Sequence, residues 1–305
     1  MRFEELLRCA LEKPARTILN RRQSSGAMSV IDFILNVVGL LLWLNWRAIP
    51  LAVPARGGTS LASTLKPAGP PRPRVWYLAA LLLLLPVRAL FYWQVGEPIH
   101  WTPRIPLGPM TFWFRSDIFG RMLLFSALSF AVALGIFYLC LLLLSWINGQ
   151  ISDADPAQRL VRAHLGRLDR WPGALKLVLP LFFIAAAWCA LNPVLVNLDM
   201  LPRNAHSFWR IAAQGAVIGL AAYLVLKYLL VAILAMYLVN SYVYLGELPL
   251  WEFVNATARA LLRPLRRLPL QAGKIDFAPV LAIVMVLAAA HFSLPPLTEL
   301  YRKLN

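Results

Sequence analysis

Acidic residues are scarce in this chain: 14 Asp and Glu stand against 30 Lys and Arg in 305 residues, a formal net charge of +16. Charge of either sign makes up only 14 % of the chain, too little to cover a soluble domain of this length. Cysteine is almost absent. Cys140 and Cys189 lie inside apolar runs and Cys9 near the N-terminus, which leaves no disulfide framework and no metal-ligand spacing. The four histidines, His100, His164, His206 and His291, have no metal spacing either. There is no phosphate-binding Walker loop, no dinucleotide fingerprint, and no Ser-His-Asp or Cys-His arrangement. No catalytic residue, metal or cofactor is therefore expected, and the chain is not expected to be an enzyme.

What is present is hydrophobic: 60 % of residues, with a mean hydropathy of +0.64. Six apolar segments approach or exceed the roughly 20 residues that cross ~30 Å of hydrocarbon as a helix. They run from about Ser29 to Trp46, Val75 to Trp93, Met122 to Ile147, Ala174 to Val196, Trp209 to Tyr244 and Phe277 to Leu294. In lipid, backbone groups must pair within the segment, so these runs are predicted helical. The fold class is all-α, a polytopic transmembrane bundle of about six spans. Trp43, Trp46, Trp76, Trp93, Trp146 and Trp209 fall near segment ends, as an interfacial aromatic belt requires. Between the spans, 47–74 is predicted to be a loop without regular structure, because of its Pro-Ala-Gly-Pro-Pro-Arg-Pro stretch. The Pro-rich linker 94–117 is predicted to be an ordered loop on the headgroups.

Loops 47–74, 148–176 and 246–278 carry five Lys and Arg each, against three, two and two in 94–121, 197–210 and 295–305. The positive-inside rule puts the first set in the cytoplasm and the C-terminus outside. Nucleic acid is not the expected counter-charge; anionic lipid headgroups are, with other membrane proteins as further partners. Six spans also put the N-terminus outside, which conflicts with the six Lys and Arg of residues 1–27. Either translation starts at Met28, or 1–27 is a cytoplasmic amphipathic tail and one span is miscounted.

The second half of the chain resembles itself. Leu165-Gly-Arg-Leu-Asp-Arg-Trp-Pro172 aligns with Leu262-Arg-Pro-Leu-Arg-Arg-Leu-Pro269, and Pro180 with Pro279. The expected organisation is a basic tail (1–27), a two-span region (28–118), a first repeat (119–196), and a second repeat with a short tail (197–305). Each repeat is a span, a basic amphipathic segment, a proline and a span. From Pro156, the residues Ala157, Leu160, Val161, Leu165, Leu168 and Trp171 make one helix face, with Arg159, Arg162, Arg167 and Arg170 between them. From Leu250 to Leu268, the residues Trp251, Phe253, Val254, Ala258, Leu261, Leu262 and Leu265 make a similar stripe. Both are expected to lie in the cytoplasmic headgroup plane, the four arginines of the first copy contacting lipid or partners or only fixing topology.

Around the second copy, Arg263, Pro264, Arg266, Arg267, Pro269, Gly273, Asp276 and Pro279 resemble the signature of the YggT (YlmG) family, with Ala278 in place of the usual Ser. The first copy keeps Arg167, Arg170, Pro172, Gly173 and Pro180 but has no equivalent of Asp276. The resemblance covers roughly 119–297. It implies a small polytopic protein of the bacterial cytoplasmic (inner) membrane without enzyme activity. Bacterial relatives are linked with cell division and osmotic tolerance, and plastid relatives with nucleoid distribution and haem attachment. In the signature, Gly273 suits a tight turn, and Asp276 with Pro279 suits a helix start.

Two intramembrane charges complete the reading. Lys227 lies near the middle of the fifth segment, where an ionisable group is costly and usually faces a bundle interior; no acid is read deep in the other long spans to partner it. Arg88 lies nearer one end of its segment, where snorkelling is expected. Gly215-Ala-Val-Ile-Gly219 has the spacing of close helix packing. The leading expectation is a non-catalytic protein supporting envelope organisation, division or membrane-protein assembly. The alternatives are a small channel or transport component using Lys227, and a cofactor-assembly factor.

Overall fold

The computed structural model describes residues 26–47, 73–98, 101–149, 156–201, 207–243, 249–265, 271–272 and 275–304. Among these, six helices are long and apolar enough to cross a membrane. The helices are α1 (Gly26–Arg47), α2 (Arg74–Gly96), α3 (Phe119–Ile147), the short α4 (Pro156–Leu165), α5 (Gly173–Asn197), α6 (Phe208–Ala222), α7 (Leu226–Tyr242), the short α8 (Pro249–Leu262) and α9 (Ala278–Leu304). The fifth span is the pair α6–α7, 35 residues in all. Large apolar side chains such as Phe182, Phe183 and Phe292 are exposed along the spans, as a lipid-facing surface requires. The chain is a multi-pass α-helical membrane protein.

The chain divides into two compact units, Met1–Ile105 with Trp113–Ala133, and Pro106–Phe112 with Leu134–Asn305. In the first, α1 and α2 run antiparallel. Asp32 bonds Arg88; seven residues on along α1, Gly39 lies beside Leu81, seven residues back along α2. Gly39 also lets α3 approach: a Cβ there would meet the Phe130 ring at 2.8 Å. Ser126 of α3 donates to the carbonyl of Leu85 (2.9 Å), just before the in-helix Pro86.

In the second unit, Gly215 and Gly219 of α6 face α5, where an added Cβ would meet Ala185 and Leu181. The small residues thus set a close helix contact, as their spacing predicts. Helix α7 packs Ile233 and Leu234 against Ala278 and Ala282 of α9, and Val254, Ala258 and Leu262 of α8 join that core. Val161 and Leu165 of α4 and Phe253 of α8 meet Leu141 and Leu142 of α3.

Four local differences from the sequence reading stand out. Among its described residues, the linker 94–117 contains a two-stranded sheet, β1 (Arg104–Leu107) and β2 (Met110–Trp113), linked through Gly108 at φ +67°. The first amphipathic helix stops at Leu165 and gives way to a 3-10 turn, Gly166–Arg170, because Gly166 takes φ +57°. The fifth span breaks into a 3-10 turn at Tyr223–Val225, with no proline or glycine to mark it. The last helix does not end at Leu294 but continues through Pro295 and Pro296 to Leu304. Its far end is held by the Tyr301 hydroxyl on the Met110 sulfur (2.8 Å) and by Gln214 Nε2 on the Leu304 carbonyl (3.1 Å). The predicted loop at 48–72 and the tail 1–25 lie outside the described residues.

Candidate functional site

The first unit holds a charged centre inside the spans. Arg88 is 1 % exposed, so it does not snorkel to the interface as the sequence suggested. It stays inside because α1 offers an acid that sequence reading overlooked. Arg88 Nη2 lies 2.5 Å from Asp32 Oδ1, Nη1 donates to Asn36 Oδ1 (2.8 Å) and Nε to the Tyr92 hydroxyl (2.9 Å). Asp32 is equally engaged. Its Oδ1 also accepts from Tyr92 (2.8 Å), and its Oδ2 accepts from Ser129 (3.1 Å) and Asn36 Nδ2 (3.2 Å). Asn36 Nδ2 reaches Ser129 Oγ as well (3.0 Å). Three helices thus share one closed network. Either charge alone would cost roughly 2.5–3.5 kcal/mol or more at mid-bilayer; pairing and full hydrogen bonding offset that cost. Trp101 and Phe125, both buried, stack with Tyr92 at 5.2 and 5.6 Å, and the buried Phe114 stacks on Phe125 at 5.4 Å.

The second unit has a polar floor where α4, α8 and the end of α3 meet. Lys176, in the first turn of α5, is buried, although a cation there opposes the helix dipole. It donates to Ser145 Oγ (2.8 Å) and lies 3.5 Å from Asp169 Oδ1, while Ser145 donates to the same oxygen (2.5 Å). Arg162 Nε lies 3.4 Å from Asp169 Oδ2. A Ser beside a Lys invites a nucleophilic reading. Ser145 is 0 % exposed, and with Lys176 and Arg162 it ties Asp169 of the 3-10 turn to the end of α3 and the start of α5. One turn on, Asn148 Nδ2 donates to Thr257 Oγ1 (2.8 Å), and Gln158 Nε2 reaches the Asn148 carbonyl (3.4 Å). Among the described residues, no group of His, Cys, Asp and Glu is placed to hold a metal ion.

Of the arginines singled out on the first amphipathic segment, Arg162 turns inward onto Asp169, whereas Arg159, Arg167 and Arg170 are exposed. The apolar stripes meet protein: Val161, Leu165, Phe253, Val254, Ala258 and Leu262 are each at most 8 % exposed. Periodicity identifies a buried face, but not what buries it.

The signature follows α8. Arg263 and Pro264 are exposed just beyond its end. Arg266, Arg267, Pro269 and Gly273 lie outside the described residues. Strands β3 (Gln271–Ala272) and β4 (Ile275–Asp276) pair antiparallel, with Gln271 opposite Asp276. Asp276 therefore stands one residue before the capping position: the Phe277 carbonyl accepts the Leu281 N–H (3.0 Å), and Pro279 is buried in the first turn of α9. Residues 215–297 match the family model described as CCB3/YggT. This stretch is a CCB3/YggT domain. No curated protein and no solved structure matches the chain.

The CCB3/YggT match begins at the first packing glycine of α6 and takes in α7, α8, the signature and most of α9. The Asp32–Arg88 centre lies outside it, and so does the stretch 119–196. Lys227 lies inside it, in the first turn of α7 just past the 3-10 break. It is half-buried, with its ammonium 5.0 Å from the centre of the exposed Tyr228 ring. Within its own unit Lys227 takes no part in the polar floor around Asp169 and Asn148. Asp32 could have been found by asking which acid within a span can meet Arg88.

Proposed function

We propose that the protein is a non-catalytic component of the bacterial cytoplasmic membrane that works by contact. In this reading its CCB3/YggT domain and the preceding stretch present a basic cap, made of α4 and α8, to anionic headgroups and partner membrane proteins on the cytoplasmic side. The observation that carries the reading is how the cap divides its faces. The apolar faces are spent on the bundle, and Arg159, Arg167, Arg170, Arg259 and Arg263 are turned outward. Such a surface is fixed in place and complementary to acidic partners. Support of envelope organisation, division or membrane-protein assembly fits a rigid basic surface without a reaction centre.

We read the cap as two copies of one unit. The order span, short helix, span occurs at α3–α4–α5 and at α7–α8–α9. Gln158 and Asn255 stand at the same distance before Leu165 and Leu262, and each ties its short helix to the preceding span, through Asn148 and Asn240. The test is a functional fluorescent fusion followed through division and after osmotic upshift. Replacing Arg159, Arg167, Arg170, Arg259 and Arg263 by Gln should abolish localisation or complementation without lowering the melting temperature. Unchanged behaviour would sink the reading. A transport role for Lys227 draws support from one observation, the helix break beside it. In that case Lys227→Leu should abolish flux; in the contact reading it is tolerated.

A further inference from the structure

The hairpin of β1 and β2 does not lie on the headgroups. Its tip, Pro106–Phe112, belongs to the second unit and follows α6 inward. Phe112 packs on Trp188 with ring centres 6.0 Å apart, and Trp188 is level with Gly215, whose added Cβ would meet it at 3.2 Å. Met110 accepts the hydroxyl of Tyr301 near the end of α9. At the turn, a Cβ on Gly108 would meet the Ala221 side chain at 2.3 Å, so only glycine fits there. Ala221 is the last residue but one of α6 (Phe208–Ala222). The tip therefore stands roughly 20 Å along the fifth span from its start, about one turn short of the middle of its 35 residues. The 3-10 turn Tyr223–Val225 follows at once.

Extended backbone at that depth needs hydrogen-bond partners. A two-stranded sheet has two open edges, whose N–H and C=O groups point away from the partner strand. Within the hydrocarbon layer such groups are tolerated only where protein buries them or water reaches them. Protein covers one side of the tip: Phe112 is 4 % exposed. The other side is open, because Pro106, Gly108 and Thr111 are all exposed. Gly108 has only backbone to expose. Pro106 and Pro109 bring no N–H, but their carbonyls, that of Gly108 and the Thr111 hydroxyl still accept hydrogen bonds. Lipid chains offer no donor.

We propose that the open side of the hairpin lines a water-filled vestibule. It enters the second unit at the end where α9 finishes, and it closes at the hairpin turn beside Ala221. Water and small hydrophilic solutes reach this depth along Thr111 and Gly108, while the exposed Leu220 side chain of the same span meets hydrocarbon. The vestibule lies at the other end of the unit from the α4–α8 cap and does not rest on the contact function proposed for that cap.

The test is thiol labelling of the full-length protein in lipid nanodiscs with a charged, membrane-impermeant maleimide. Each adduct is read on its own peptide by mass spectrometry, so the native cysteines stay in place. Only the thiolate reacts, and a thiol in hydrocarbon neither ionises nor meets a charged reagent. T111C puts the thiol on the open side of the hairpin, and L220C puts it one residue before Ala221 on an exposed apolar position. T111C should label at least about tenfold faster than L220C in nanodiscs, and the two should label alike in denaturing detergent. If T111C is as slow as L220C, lipid or a second protein covers the hairpin, and the proposal is overturned. If L220C is as fast as T111C, the tip does not reach hydrocarbon depth, and the proposal is overturned as well. Melting temperatures of both variants within a few degrees of wild type separate access through the vestibule from access through a lost fold.

Discussion

The two polar centres of this protein solve the same problem in different ways. In the first unit, Asp32, Asn36, Arg88, Tyr92 and Ser129 close a network in which both carboxylate oxygens and all three guanidinium nitrogens are engaged. In the second, the floor under α4 and α8 leaves Asn148 Oδ1 and Gln158 Oε1 buried without a partner among the described residues. The difference follows depth. Asp32 stands nearly two turns inside α1 and Arg88 two turns inside α2, whereas Ser145 stands in the last turn of α3 and Asn148 just past its end. Within hydrocarbon an unmatched polar atom has no alternative, so the network must be complete. At the end of a span, ordered water can supply the missing bond, and an incomplete network is tolerated.

This contrast can be broken, most forcefully at the ion pair. Arg88→Leu or Asp32→Leu leaves one buried charge uncompensated and should destabilise the protein by about 3–5 kcal/mol, read as a loss of thermal stability in detergent. The double variant, with both positions apolar, should recover most of that loss; failure to recover would show that the pair acts as more than mutual neutralisation. The next effect is at the close approach of α1 and α3. Gly39→Val drives a branched side chain into the Phe130 ring and should cost about 1–3 kcal/mol by the same measurement. At the floor, Asp169→Asn removes the charge facing Lys176 and Arg162 and should cost about 1.5–3 kcal/mol, less than the loss of Asp32 because Lys176 lies in the first turn of its span and Arg162 on a short helix outside the spans. The smallest effect belongs to Gln158→Leu. It deletes one long hydrogen bond and one unpartnered oxygen together, and stability should stay within about 1 kcal/mol of wild type. A larger loss would mean that the floor is as closed as the ion pair.

The six spans were legible in the sequence because length and hydropathy alone decide what crosses a bilayer. The packing of Gly215 and Gly219 was legible as well, since a helix that approaches closely needs a bare face. The fate of Arg88 was not. Its rescue depends on Asp32 in another helix, 56 residues away in sequence, and no local pattern announces such a meeting. The strands at 104–113 were missed because four-residue strands carry too few positions for alternation to show. The stripes of α4 and α8 were legible as apolar faces and read as lying in the headgroup plane; that they pack on protein was not, because periodicity is the same whether the neighbour is lipid or Leu141. Beyond the signature, Lys227 was visible as an anomaly, and the 3-10 break that precedes it was not, for lack of a proline or glycine.

The 56 residues between Asp32 and Arg88 also set a schedule. A ribosome adding about 5–20 residues per second delivers Arg88 roughly 3–11 s after Asp32. Through that interval the acid has no cation to meet, and the first segment is least at home in lipid. The pairing of Asp32 with Arg88 therefore favours α1 and α2 residing in the bilayer together, as a hairpin, over α1 residing there alone.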